Sequence, residues 1–556
     1  MFPLIINVLI FLSCYFLCDI LGDKPQSSHT ARKEKAETAW DKLRKKLLES
    51  RLEMLAPFAV VCSFCQADLQ EGSFVRCSDC GPCVFYCLTC DSKIHSVLQF
   101  HKQYVWTEGK TYLPVKRVPR LCQQSLHQCE CDAVQTSNIV LFDCEGMSSD
   151  AVIEHCLCHR EQLAVTLLRH GFWPASPASP KVAFSLQLME LCACLQLHGS
   201  ISVQAIAMSL KEMDPLLGLR PQASSVPDLY RNLLGAINEY RFHRSQISRT
   251  GALSKASIHS CPVCSMNPSG AVTSLDGNFG LVHKRRTGGL EKARHQNVFF
   301  FKDENVQQFV QDWAADRRNI ATNCSQFQAG DTLRSKNKTA GLDVTGVFGS
   351  VCQHEFPGVM VNLKHGERLS YPVFILQDLL SRTKNISAPQ KQLVMYDVAC
   401  MLRKHLEVRK SQLLQHFTFS VPAFHRFAHN MACQLSFGQR CTVGAGLHDG
   451  EGMERVWAYL RGFASVSKQM TLANREDLLT DALLAYSRRS FGQLRKKLVG
   501  QMETADRIQR EAQTDLEPLE RQLVREAGGD SQNWLDSWKA EVATQTNHKV
   551  SGSPKL

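Results

Sequence analysis

AVTSLDGNFGLV, residues 271–282, runs through short apolar and small residues to an aspartate, Asp276, and breaks at the glycine that follows. Such a run, bounded by a turn residue, reads as a buried β-strand. LVMYDVACML, residues 393–402, repeats the pattern with Asp397. A carboxylate at the end of a buried strand is costly unless it opens into a cleft or faces a cation. Two of them suggest one site built from two strand ends. The bland alternative is that each caps a turn or a following helix, as strand-end aspartates often do.

The surrounding texture supports a mixed sheet. From residue 258 onward, AVTSLD, NVFFF, VTGVFGSVC, GVMVNL and LVMYDVA read as short strands, alternating with helix-like stretches such as YPVFILQDLLSRT. That alternation predicts an α/β domain, a mixed sheet flanked by helices. A third acid is offered by LHDGEGMERVWAYL, residues 447–460, with Asp449, Glu451 and Glu454. Met453, Val456, Trp457 and Leu460 form one apolar helical face, and Glu454 borders it, so Glu454 is placed to face a cleft. Glu451 lies nearer the helix start, where an acid also stabilises the dipole; it is the reserve. Carboxylates grouped in this way suit hard Mg²⁺ or Mn²⁺, and a pair of such ions suits phosphodiester chemistry.

The chain has 556 residues, too many for one hydrophobic core, with a mild formal charge of +11 that permits acidic polymers as partners without requiring them. Its 24 cysteines cluster in short pairs, which favours metal ligation in a reducing compartment over a disulfide framework. The first cluster is Cys62, Cys65, Cys77, Cys80, Cys83, Cys87 and Cys90, followed by His95 and His101. Tetrahedral zinc takes four N or S ligands, so this set predicts two interleaved Zn²⁺ ions, with Cys80 and Cys83 competing for one place. The second cluster is looser: His127, Cys129, Cys131, Cys144, His155, Cys156, Cys158 and His159. It predicts further zinc without fixing its ligands. Cys261 and Cys264, with Cys324, Cys352 and His354, form another candidate set within the α/β region. His425, His429 and Cys433, spaced by four, suit a metal, a DNA flank or polar packing equally. The triplet Lys284, Arg285 and Arg286 suits phosphate or an ordinary solvated surface.

At the start, MFPLIINVLIFLSCYFLC, residues 1–18, reads as the core of a secretory signal or a short anchor, but lacks a preceding basic residue and a clear cleavage site. Residues 23–55 predict a basic amphipathic helix. GFWPASPASPKVAF, residues 171–184, is a proline-punctuated connector leading into apolar helical sequence. After residue 452 the pattern is helical, and the end from about residue 543 is polar.

Taken in order, CPVC, SLDGNFGLVHKRR, LDVTGVFGSVCQHEFPGVMVNLKHGERLSYPVFILQDLL, VMYDVACMLRKHL, VPAFHRFAHNMACQ and GLHDGEGMERVW resemble the KDZ (Kyakuja-Dileera-Zisupton) transposases. IVLFDCEGMSSDAVIEHCLC and HGFWPASPASPKVAF resemble the region between that family's CxC cysteine clusters and its catalytic domain. The resemblance implies an RNase H-like core with a DDE triad, Asp276 and Asp397 being the first two acids. ERVWAYL also resembles the glutamate-arginine motif of hAT-type transposases, which makes Glu454 the third. Domain boundaries are expected at 1–55 for the apolar segment and basic helix, 56–165 for the CxC-type zinc region, and 166–257 for a helical spacer. The RNase H-like core is expected at 258–470, with C-terminal helices and a polar tail at 471–556. The implied activity is metal-dependent DNA cleavage and strand transfer in the nucleus, with transposon ends and target DNA as partners. A homo-oligomer, and a chromatin or protein contact through the zinc modules, fit the same picture. The competing reading is a catalytically inactive, host-adopted protein that keeps only its zinc-binding interaction modules; a working signal at residues 1–22 would instead make it secretory or membrane-anchored.

Overall fold

The computed structural model describes residues 28–55, 60–70, 74–107 apart from 82, and 112–122 apart from 116 and 117. It further describes 134–144, 148–156, 162–213, 228–250, 261–266, 270–286, 292–315, 341–383 apart from 365 and 367, 391–526, and positions 533 and 537. The apolar segment 1–22, the polar tail, Cys324 and the second-cluster residues His127, Cys129, Cys131, Cys158 and His159 lie outside the described residues. None of the described helices is long and apolar enough to cross a membrane.

The chain divides into two units, Met1–His170 with Lys211–Pro227, and Gly171–Leu210 with Asp228–Leu556. Among the described residues the first opens with a helix, Ser28–Leu55, whose Trp40, Leu43, Leu47, Leu48 and Leu52 are all exposed. It is a solvated helix, as its density of charge favours. A four-stranded antiparallel sheet follows, built from Phe74–Cys77, Phe85–Cys87, Gln103–Trp106 and Tyr112–Pro114. Its core is small, consisting of Phe74, Phe85, Tyr104, Trp106 and Tyr112. The strands Val134–Phe142 and Ser148–Cys156 pair antiparallel along their whole length, and Arg120–Cys122 joins the second in parallel.

The second unit is organised by a five-stranded sheet: β1 (Val272–Asn278), β2 (Gly346–Cys352), β3 (Pro357–Leu363), β4 (Gln392–Met395) and β5 (Phe417–Ser420). Its order is 3-2-1-4-5. β3, β2 and β1 are antiparallel neighbours, while β4 lies parallel to β1 and β5 parallel to β4. Antiparallel neighbours can be joined by a tight turn, as β2 and β3 are, whereas the parallel pairs need crossovers. α2 (Ser370–Thr383) leads from β3 into β4 and α3 (Ala399–Val408) from β4 into β5, while α1 (Asp303–Ala315) lies in the long connection between antiparallel β1 and β2. NVFFF is not a ladder strand; only Phe300 makes a bridge, to Met360.

Alternation along the strands assigns the two faces. Leu275, Phe348, Val359, Val361, Val394 and Tyr396 point to the side packed by α1, α2 and α3. Val347, Val351 and Met360 point to the other, against α4 (Gly452–Leu460) and α5 (Leu472–Glu526). The C-terminal region is thus one helix of 55 residues, whose first turns are part of the core. The sequence between 171 and 250 is no free-standing spacer either. Strands Phe172–Pro174 and Val182–Ser185 pair, and helix Leu229–Thr250 packs on α5. There, buried Arg241 meets Asp481 at 3.0 Å and Gln196 at 2.6 Å, and His295 Nε2 reaches Asp481 at 2.8 Å. A buried ion pair of this kind fixes geometry because leaving either partner alone would be costly.

The start of α5 carries a second buried network. Arg475 is fully buried and donates to Asn362 Oδ1 and to the carbonyl of Leu281, both at 2.8 Å. Glu476 accepts from Asn362 Nδ2 at 2.9 Å, and burial with the field of Asp303 pushes its carboxyl up to about 7, against the opposing pull of Asn362, Arg475 and Lys364. An acid whose folded pKa is raised keeps its proton longer in the fold than in the unfolded chain, so stability falls as pH rises from about 4.5 towards 7. Glu476→Gln is therefore expected to raise the Tm at pH 8, by up to about 3 kcal/mol of stability, and to leave it unchanged at pH 4. Thermal melts of both proteins across that range check this; a constant difference would refute it.

Candidate active site and metal centres

β1 and β4 run in parallel register, with Ser274 opposite Met395. Two residues further along each lies an aspartate, so Asp276 and Asp397 stand level on adjacent strands. Both point to the same face: Asp276 is paired with Gly349, on the side of Val347 and Val351, and Asp397 follows Met395, while Val394 and Tyr396 face away. This is the face covered by α4, and the first turn of α4 supplies the remaining acids. Asp276, Asp397, Glu451 and Glu454 line one pocket together with His425, Pro422, Gly450 and Met453.

The local chain geometry explains how α4 comes so close. Gly450 has φ +81°, and a Cβ there would sit 2.7 Å from Met395 Sδ. At Gly452 a Cβ would meet Val351 Cγ1 at 2.8 Å. Only glycine lets the helix start rest directly on β2 and the end of β4. Beyond it Met453, Val456, Trp457 and Leu460 are buried, the apolar face expected from sequence.

The acids of 447–460 have separate places. Asp449 accepts the Glu451 N–H at 3.0 Å and pairs with Arg455 at 2.8 Å, which also meets Glu355; it belongs to the turn. Glu451 occupies the N-cap position but makes no side-chain cap. Its carboxylate instead accepts the Phe424 N–H at 3.0 Å and lies 3.3 Å from His425 Nδ1. Glu454 is half exposed, its Oε1 4.0 Å from His425 Nε2. Glu451 beside it, and the fields of Asp397 and Asp276, push His425 up to about 9 against the effect of burial. The pocket favours positive charge. Burial pushes the Asp397 carboxyl upward, and the Val398 N–H, donating to its Oδ1 at 2.7 Å, opposes that.

Behind Asp397 sits a buried group that sequence spacing assembled only in part. His429 Nε2 is 2.9 Å from the Asp397 carbonyl oxygen, and its Nδ1 lies 3.4 Å from Cys433 Sγ and 3.7 Å from Cys400 Sγ. Cys400 was not among the expected partners; its one signal is its place three residues after Asp397. His425, expected beside His429 and Cys433, turns into the acidic pocket instead.

In the N-terminal unit the first cysteine cluster sorts into two interleaved groups. Cys62, Cys65, Cys87 and Cys90 form one; Cys77, Cys80, His95 and His101 form the other. Cys80 takes the contested place: its Sγ lies 3.3 Å from His101 Nδ1 and 3.6 Å from His95 Nε2, whereas exposed Cys83 joins neither group. Two thiolates on tetrahedral zinc stand about 3.8 Å apart, and a thiolate and an imidazole nitrogen about 3.5 Å, given bonds of about 2.3 and 2.0 Å. The spacing of both groups matches. His95 Nδ1 is hydrogen-bonded to the Asp91 carbonyl oxygen at 3.2 Å, with the Asp91 carboxylate 2.8 Å away, which fixes the tautomer that leaves Nε2 free to ligate. Of the second cluster, Cys144 follows strand Val134–Phe142 and Cys156 ends strand Ser148–Cys156, with buried His155 beside it. A further group, Cys261, Cys264, Cys352 and His354, gathers in the second unit.

Residues 270–485 match the family model of the Kyakuja-Dileera-Zisupton transposase, and residues 116–214 that of the CxC1 like cysteine cluster associated with KDZ transposases. The chain carries a KDZ transposase domain and a CxC1 cysteine cluster. No curated protein and no solved structure matches it. The KDZ match contains the whole five-stranded sheet, all four pocket acids and the start of α5. The CxC1 match begins after the first cysteine cluster and runs past the connector, so the interleaved pair of groups at 62–101 stands outside it.

Proposed function

We propose that this KDZ protein is a DNA transposase whose RNase H-like core cleaves and rejoins phosphodiesters with a DDE set of acids. The observation that carries this reading is the meeting of Asp276, Asp397, Glu451 and Glu454 in one pocket at the level ends of two adjacent parallel strands. The 3-2-1-4-5 sheet, with three antiparallel and two parallel strands, supports the RNase H-like assignment. The all-carboxylate donor set fits Mg²⁺ or Mn²⁺, held by Asp276, Asp397 and Glu454. Such ions supply charge neutralisation at the scissile phosphate and activation of a water or 3′-hydroxyl.

The chain's own contribution is positioning. β1 and β4 fix the two aspartates at one height. Glu454 is our third acid because it faces the pocket without the tethers of Glu451, both of whose oxygens have protein partners. Glu451 holds the Phe424–His425 segment over the site. Exposed Lys284, Arg285 and Arg286, just after β1, offer phosphate contacts to transposon ends or target DNA; a protein acting on such DNA would work in the nucleus. The two groups at 62–101 would hold structural Zn²⁺.

The test is Mg²⁺- or Mn²⁺-dependent cleavage of duplex DNA bearing the element's terminal sequences, by the full-length protein. Glu454→Gln should lower the rate about 100-fold, close to 3 kcal/mol of barrier, and Glu451→Gln less. A reversed order would transfer the role to Glu451; no cleavage by the unaltered protein with either ion would remove the catalytic reading.

A further inference from the structure

We propose that Cys261, Cys264, Cys352 and His354 form a structural zinc site that fastens the segment before β1 to the β2–β3 turn of the KDZ core. Cys261 Sγ and Cys264 Sγ each lie 3.3 Å from His354 Nδ1, and the four ligand atoms all fall within 4.8 Å of one another. Both thiols thus converge on a single ring nitrogen. That nitrogen can accept one S–H hydrogen bond, so hydrogen bonding alone leaves the remaining sulfurs only weak thiol–thiol contacts with one another and one backbone N–H. One tetrahedral ion satisfies all four, and a set of three thiolates with one imidazole is soft enough to select zinc over magnesium or calcium.

The backbone is arranged for it. The Cys264 N–H points at Cys261 Sγ at 3.5 Å, as in a CxxC turn that presents two sulfurs to one ion. On the other side, Cys352 ends β2 and His354 lies in the turn to β3, where the Cys352 N–H donates to the Phe356 carbonyl and the Glu355 N–H to the Cys352 carbonyl. Phe356 and Leu494, with Val263 and Leu498 beside them, close an apolar shell around the cysteines. Cys261 and His354 are buried, so water could not take the place of the missing ligand bonds without cost.

The position has a consequence for the sheet. Cys352 is the register partner of Thr273, three residues before Asp276, and the Gln353 N–H donates to the Val272 carbonyl at 2.9 Å. A zinc ion here holds the start of β1 against β2 and so sets the strand that carries Asp276. The proposal does not depend on catalysis: it concerns folding of the core whether or not the acids are active.

Two measurements on the full-length chain test it. In the first, thiol alkylation is mapped by peptide mass spectrometry before and after zinc chelation. Half-buried Cys264 and Cys352 should be protected at first and then label like exposed Cys441, while buried Cys192, which joins no ligand group among the described residues, stays protected in both states. Equal labelling of Cys264 and Cys352 before and after chelation overturns the proposal. In the second, Cys264→Ser and His354→Ala should each lose one zinc per chain, whereas Val263→Ala, which disturbs the same apolar shell without removing a ligand, should keep it. Zinc content unchanged in both ligand variants overturns the proposal as well, and the alkylation result stands for a variant that does not fold.

Discussion

Asp397→Asn is expected to abolish divalent-metal-dependent DNA cleavage while leaving the fold at least as stable. Asparagine keeps the oxygen that accepts the Val398 N–H, and the His429 contact is to the backbone carbonyl, so neither anchor is lost. What disappears is a charge that burial already disfavours; its removal should hold or raise the Tm. The chemistry depends on that charge, because a carboxamide is a far weaker ligand for a hard divalent cation. A loss of about 1,000-fold or more, near 4 kcal/mol of barrier, is expected for Asp397→Asn and likewise for Asp276→Asn. Asp449→Asn serves as the contrast. Its carboxylate is spent on Arg455 at a half-exposed position, and its removal should change the rate less than tenfold. Cleavage by Asp397→Asn within tenfold of the unaltered protein, at equal DNA occupancy, would sink the assignment.

The parts of this site that could be read from sequence are those set by local periodicity. The runs ending on Asp276 and Asp397 are strands with an acid at the C-terminal end because apolar residues of short, alternating type leave few other options. The Met453, Val456, Trp457 and Leu460 stripe fixed the inward face of α4 for the same reason. Long-range pairing was not legible. Nothing local tells that β2 lies between β1 and β3, or that β4 adds in parallel beside β1, yet that register is what brings the two aspartates level. Glu451 shows the limit within one helix turn: an acid at the N-cap normally serves the dipole, but here Gly450 turns the chain so that the side chain meets Phe424 and His425 instead. The choice of Cys80 over Cys83 and the arrival of Cys400 beside His429 are likewise tertiary facts. The cysteine pairs themselves were plain, since two-residue spacing is a local requirement of the metal.

Stripping zinc from the N-terminal unit should unfold the segment around residues 60–106 while the KDZ sheet persists. The hydrophobic core available there is five aromatic side chains, and a second cluster is made largely of the cysteines themselves: Cys62, Cys77, Tyr86 and Cys90. A core that small is expected to need ligation at the two cysteine groups to hold a module of this length. With a zinc chelator, limited proteolysis should cut first between residues 60 and 106, and readdition of Zn²⁺ should restore protection. Single substitutions separate ligation from packing. Cys80→Ser should lose one zinc per chain, and Cys83→Ser none, because only Cys80 faces both histidines. Asp91→Asn should keep the ion but weaken its binding by up to about 10-fold, since the hydrogen bond from His95 Nδ1 to the Asp91 carbonyl remains and only the nearby carboxylate charge is lost. If chelation leaves the cleavage pattern of residues 60–106 unchanged, the module folds on its aromatic core and the cysteines are bystanders.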